Sequence, residues 1–186
     1  MVLPFSTALE FGSGVMDPHN LLVERRLSEM PDAFGADGEV QRMLAAGDDP
    51  VIYRAWEAAV PHEPGELVYR TTVIYPGRVN GEYYMTKGHH HTRDSAEFYL
   101  GLSGHGMLVM QTRAGEASVL DMPIGTAVYV PAGWAHRTVN VGDDPMLFLA
   151  VFAGDAGHDY ASIERSGFGV RIVAGQKGAT VVDAHR

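Results

Sequence analysis

Residues 88–104, GHHHTRDSAEFYLGLSG, and residues 125–140, GTAVYVPAGWAHRTVN, hold the pattern that organises the chain. In an extended segment, side chains two apart share a face, so His89 and His91 point together while His90 faces outward. Glu97, opening the next candidate strand, adds a carboxylate to those two imidazoles. In the second stretch a Pro131–Gly133 corner turns the chain so that His136 enters the same cavity from another strand. Three histidines and one glutamate form a ligand set that leaves one or two positions of a divalent ion open to substrate or water. A single buried histidine is more often a hydrogen-bonded core residue; four converging ligands carry the signal.

Around these stretches the apolar period is two. Strands are expected at 51–56, 66–75, 82–86, 97–102, 106–112, 117–121, 126–130, 136–141 and 146–152, with Pro76-Gly77, Asn80-Gly81, Ser103-Gly104, Ala114-Gly115 and 142–145 as turns. Short strands at near-regular spacing predict a sandwich or barrel. Helical signal is confined to the first third. Asp17-Pro18 is expected to start a helix through LLVERRLSEM that Pro31 ends, and a second runs from Gly38 to Ala46 before Gly47. Gly167–Val173 adds a further strand. The organisation expected is an arm over 1–48 with short helices, a barrel over 49–175 and a loose tail over 176–186. His19, His62, His105 and His185 are expected at the surface or in loops.

The 186 residues suffice for one domain with its own core. Fourteen Lys and Arg against 23 Asp and Glu give a net charge of −9, which argues against nucleic acid as a partner but not against a small anion held by local donors. With no cysteine, disulfides, thiolate zinc sites, iron–sulfur clusters and cysteine nucleophiles are excluded. No apolar run approaches the roughly 18 residues of a membrane span. The first twenty residues lack the basic and apolar regions of a secretory signal, so a cytoplasmic protein with no membrane partner is expected.

His89, His91, Glu97 and Gly104 satisfy H-x-H, a gap, E, six residues and G; Gly125, Pro131, Gly133, His136 and Asn140 satisfy G-x5-P-x-G-x2-H-x3-N. The pair resembles the two cupin motifs, although the five residues between His91 and Glu97 exceed the three or four usual there. The stretches TVIYPGRVNGEYYMTKGHHH (72–91), RRLSEM (25–30) and AGHDY (156–160) further resemble the cupin-type phosphoglucose isomerases of archaea and some bacteria. Against that family the gap in this chain is one residue short.

The resemblance implies an all-β cupin-type double-stranded β-helix (jelly-roll) barrel with short N-terminal helical segments. It also implies a cytoplasmic homodimer that interconverts glucose 6-phosphate and fructose 6-phosphate. It assigns one divalent metal per subunit, Fe2+ first and Mn2+, Ni2+, Co2+ or Zn2+ behind it, to His89, His91, Glu97 and His136. Thr72, Thr86, Lys87 and Gly88 fall where the family holds phosphate; Tyr53, Tyr99, His158 and Tyr160 fall where it lines the sugar. Glu97 is the expected proton shuttle, with His158 beside it. Phe152 stands where relatives often have Tyr. Cupins host many chemistries, so an Fe- or Mn-dependent oxidoreductase of dioxygenase type and a non-catalytic sugar-binding cupin remain open from sequence.

Overall fold

In the computed structural model, which describes residues 3–35 and 38–184, the period-two alternation becomes strand from Val51 onward. The chain begins with β1 (Ala8–Leu9), β2 (Met16–Asp17), β3 (Leu21–Arg26) and helix α1 (Glu39–Ala45). The middle is β4 (Val51–Glu57), β5 (Leu67–Ile74), β6 (Arg78–Val79), β7 (Glu82–Tyr83), β8 (Glu97–Ser103), β9 (His105–Thr112), β10 (Ala117–Pro123), β11 (Ala127–Val130), β12 (Trp134–Asn140) and β13 (Met146–Ala153). Helix α2 (Tyr160–Ser166), β14 (Val170–Gly175) and β15 (Gly178–Asp183) complete it.

A six-stranded antiparallel sheet in the order β11-β8-β13-β5-β4-β3 packs through a shared core against the sheet β10-β9-β12. The smaller sheet is widened by the segment after β7, which bridges to β12 at Met85↔Val139 and His89↔His136. Ile74, Phe148, Tyr99 and Ala150 from one sheet meet Leu108, Met110 and Val139 from the other. The opposite face of the large sheet is covered by the β1–β2 ribbon. There Met16 joins Trp56, Val73 and Leu147 in a second apolar cluster, and Thr71 Oγ1 donates to Gly14 O at 2.6 Å.

Three expectations need correction. Leu21–Arg26 is not helical. It pairs with β4 from Leu21↔Glu57 to Arg26↔Val51, and the only helical turn left of the expected segment is a 3-10 turn at Leu27–Glu29. Backbone partners about 30 positions away outweigh a weak local helical preference. Helical structure is also not confined to the first third: α2 starts at Tyr160, where the Asp159 carboxylate accepts from Ser162 N at 3.1 Å. Residues 178–183, expected to be loose, pair with β14 from Val170↔Asp183 to Gly175↔Gly178. The second expected helix is present as α1, followed by Gly47. His185 lies outside the described residues.

Asn140, the last residue of the second motif, is fully buried. Its Nδ2 donates to Ile74 O and Asp144 O, both at 2.9 Å, and its Oδ1 accepts from Gly142 N at 3.0 Å. It therefore ties the end of β12 to β5 and closes the turn into β13. Asn140→Ala is expected to lower stability by about 2–4 kcal/mol, since buried partners lose their bonds. A urea midpoint equal to that of the unaltered protein would refute this role.

Candidate metal centre and its cavity

His89 and His136 face each other across a backbone bridge, His136 N donating to His89 O at 3.0 Å and His89 N to His136 O at 3.3 Å. His91 lies two residues on, on the same face. Glu97 opens β8 opposite Phe152 of β13 and Val130 of β11. Ligand atoms of His89, His91, Glu97 and His136 all lie within 4.8 Å of one another.

Their partners fix their orientation. His91 Nδ1 lies 2.9 Å from Ser95 O, and His136 Nδ1 lies 3.3 Å from Trp134 O. A carbonyl at Nδ1 places the proton there and leaves the Nε2 lone pair for an ion. His89 Nε2 and His136 Nε2 are buried without a hydrogen bond. His136 Nε2 is 2.8 Å from Glu97 Oε2 but out of hydrogen-bond alignment, the posture of two ligands aimed at a common third point. Burial, then the fields of His136 and His158, push the His89 pKa well down and keep its imidazole neutral. Burial raises the Glu97 pKa, but His136, His91 and His89 outweigh it and hold the carboxyl far below its usual range. Three nitrogens and one carboxylate oxygen at this spacing, two of the nitrogens otherwise unpartnered, fit one divalent ion of the Fe, Mn, Ni, Co or Zn kind.

Above this cluster opens a cavity of about 220 Å³. Tyr53, Thr72, Thr86, Lys87, Gly88, Tyr99, His158 and Tyr160 all line it with His89, Glu97 and His136. Gly88 sits at φ +78°, and a Cβ there would meet Phe168 and the Arg137 Cβ within 3 Å. Lys87 Nζ is 2.6 Å from Glu164 Oε1 and 5.5 Å from the Tyr160 ring centroid. The His158 and Tyr160 rings stack, and His158 lies 4.5 Å from His89 between centroids. Burial, then Arg70, lowers the His158 pKa to about 4, so it is neutral at pH 7. Burial raises Tyr53 to about 12 and Tyr99 well above its usual value, leaving both hydroxyls protonated.

A family model described as Glucose-6-phosphate isomerase (GPI) matches residues 25–185. The chain belongs to the glucose-6-phosphate isomerase family. Glucose-6-phosphate isomerase of Pyrococcus horikoshii is 45% identical over 184 residues, covering 98% of this chain and 96% of the relative. That of Thermococcus litoralis is 44% identical over 180 residues, covering 96% and 93%. The enzyme of the same name from Sinorhizobium medicae is 29% identical over 170 residues, covering 91% and 79%. The observed architecture is the all-β cupin fold expected for the glucose-6-phosphate isomerase resemblance.

Every residue to which the resemblance to the glucose-6-phosphate isomerases assigned a role lies in the cluster or on the wall of the one cavity. Phe152 is on that wall too, with no hydroxyl to offer. His90 does not face outward: it is buried, bridges to Asp159, and lines a separate hollow with Arg113. The bridge falls at the residue before α2, whose Ser162, Arg165 and Ser166 line the same hollow. His105 is exposed and bonds Asp121 at 2.6 Å, and half-exposed His62 bonds buried Glu57 at 2.7 Å. His19 Nδ1 lies 2.7 Å from Met16 O.

Sequence reasoning missed Arg70 and Arg25, both on the cavity wall. Arg70 stands directly opposite Glu57 in the β4–β5 register, with Ala150 opposite on its other side. Its Nε donates to Glu57 Oε2 at 3.0 Å, Nη2 bonds the same oxygen, and small Ala150 leaves the guanidinium room over the cavity. The available signal was the i, i+2 relation to Thr72, on a strand already expected to present Thr72 inward.

Proposed function

We propose that this chain interconverts glucose 6-phosphate and fructose 6-phosphate, using one divalent ion held by His89, His91, Glu97 and His136. The observation that carries the reading is the convergence of three histidines and one glutamate on the floor of a cavity whose wall presents hydroxyls, a lysine and a glycine backbone, in a member of this family. The resemblance favours Fe2+, a homodimer and the cytoplasm.

The bound ion would polarise the sugar carbonyl as a Lewis acid. Thr72, Thr86 and Lys87, with the backbone of Gly88 on the same wall, hold the phosphate. Protonated Tyr53 and Tyr99 donate to sugar oxygens, and neutral His158 and Tyr160 close the cavity mouth against water. Glu97 moves one proton between C1 and C2, taking it from C2 of the aldose and returning it to C1, while the hydroxyl proton passes from O2 to O1. A carboxylate cannot be a tight ligand and a free base at once, so Glu97 would have to loosen from the ion to act. Solvent deuterium at C2 of recovered glucose 6-phosphate follows from this route; a hydride shift incorporates none.

Arg70, clamped by Glu57, faces the oxygens on which negative charge develops. Arg70→Lys keeps a cation but loses the forked geometry, and kcat/KM is expected to fall about 10-fold with metal content unchanged. Unaltered kinetics would remove Arg70 from the mechanism.

The deciding experiment is a coupled assay of fructose 6-phosphate conversion before and after chelation. Activity that disappears with the ion and returns on its readdition, without oxygen uptake, supports the isomerase. Oxygen consumption, or sugar binding with no turnover in metal-loaded protein, overturns it.

A further inference from the structure

A second cavity, of about 190 Å³, shares only Lys87, Gly88 and Tyr160 with the metal cavity. Its apolar wall includes buried Met30 and Phe34 before α1, Ile163 of α2, and Phe168. Two guanidiniums enter it, Arg137 from β12 and Arg171 from β14. Arg137 is only 5% exposed; it lies 4.5 Å over the Phe168 ring and donates to Val170 O at 3.2 Å, and its Nε has no partner. Arg171 has no hydrogen bond or ion pair among the described residues, and its guanidinium rests where a Cβ on residue 35 would stand.

The negative groups nearby do not neutralise this pair. One oxygen of Glu82 accepts from Gly35 N at 2.9 Å, and its other oxygen is buried without a partner. Glu164 on the wall is held by Lys87, and Glu29 by Arg25 and the Arg26 N–H. Asp32 is exposed at the rim. Two guanidiniums against one inner carboxylate, beside an aromatic and aliphatic wall, describe a receptor for an oxyanion on an apolar body.

We propose that this cavity is a second ligand site, taking a phosphate monoester with a compact apolar body, its phosphate between Arg137 and Arg171 and its body against Phe34, Ile163 and Phe168. Gly88 packs directly on Phe168 and Arg137, so the partition between the two cavities is one backbone thick. Negative charge behind that partition opposes the substrate's phosphate in front of it, and the opposition is reciprocal. This coupling rests on the isomerase reading; the binding itself does not.

The test uses metal-loaded protein and phenyl phosphate, followed by calorimetry and by kinetics. Expected is a binding event that saturating fructose 6-phosphate weakens but does not displace. Phenyl phosphate should bind at least about 10-fold tighter than inorganic phosphate, because a buried phenyl adds its own transfer free energy. The apparent KM for fructose 6-phosphate should rise about fivefold and then level off, whereas occupation of the metal cavity raises it without limit. Arg171→Leu and, separately, Gly35→Ala, whose methyl displaces the Arg171 guanidinium, should abolish the event and the plateau while leaving metal content and basal KM unchanged.

A single event fully displaced by fructose 6-phosphate, or a second event retained in both variants, would overturn the site. Equal affinity for inorganic phosphate would overturn the apolar-bodied ligand. Binding lost in both variants of a protein without isomerase activity would sink the proposed function and leave this site standing.

Discussion

Glu97→Gln is expected to lower kcat for fructose 6-phosphate by about 10²–10⁴-fold, the range set by removing a positioned acid–base group, with a much smaller change in KM. Glutamine keeps the length and planarity of the side chain, so the cavity wall survives. What disappears is the anion. Glu97 Oε2 lies 3.2 Å from His91 Nε2 and 2.8 Å from His136 Nε2, and an amide there can neither balance a cation's charge nor accept a proton from carbon. The variant should also bind metal more weakly, so kcat must be measured at saturating metal to separate the two losses. Residual turnover should show deuterium exchange reduced in step with kcat. Full kcat with undiminished exchange would mean that another base moves the proton.

His136→Ala has the second large effect. This imidazole is 1% exposed, at the centre of the cluster, and its backbone bridge to His89 does not need the side chain. The barrel should therefore close around a small void while the ligand set drops to three. Metal affinity is expected to fall by more than the roughly 10–100-fold that follows loss of even an outer-shell partner, and activity to fall with it. Quantifying the eluted metal beside the coupled assay checks both. A variant that retained its ion and full turnover would overturn the site assignment.

The His–Glu cluster was legible because an extended chain has no freedom over which face a side chain takes. His89 and His91 follow from spacing alone, and the Pro131–Gly133 corner places His136. Asn140 was legible only as a motif letter; its three hydrogen bonds depend on where β5 and the turn before β13 lie. Leu21–Arg26 misled because an edge strand has no fully buried face: none of its six residues is buried, so the alternation that marks inner strands is blurred. Helix α2 spans seven residues, too few for a period of 3.6 to declare itself, though Asp159 was a readable cap. Arg70 was hidden for another reason: a charged residue in a strand suggests the solvent face until Glu57 is known to sit opposite.

The amino-terminal ribbon bears on how the protein can be handled. Because Met16 and the Gly14 carbonyl are keyed into the outer face of the large sheet, the opening residues act as cladding over Trp56, Val73 and Leu147. Trimming them would lay bare an oily panel several side chains wide and favour association between molecules.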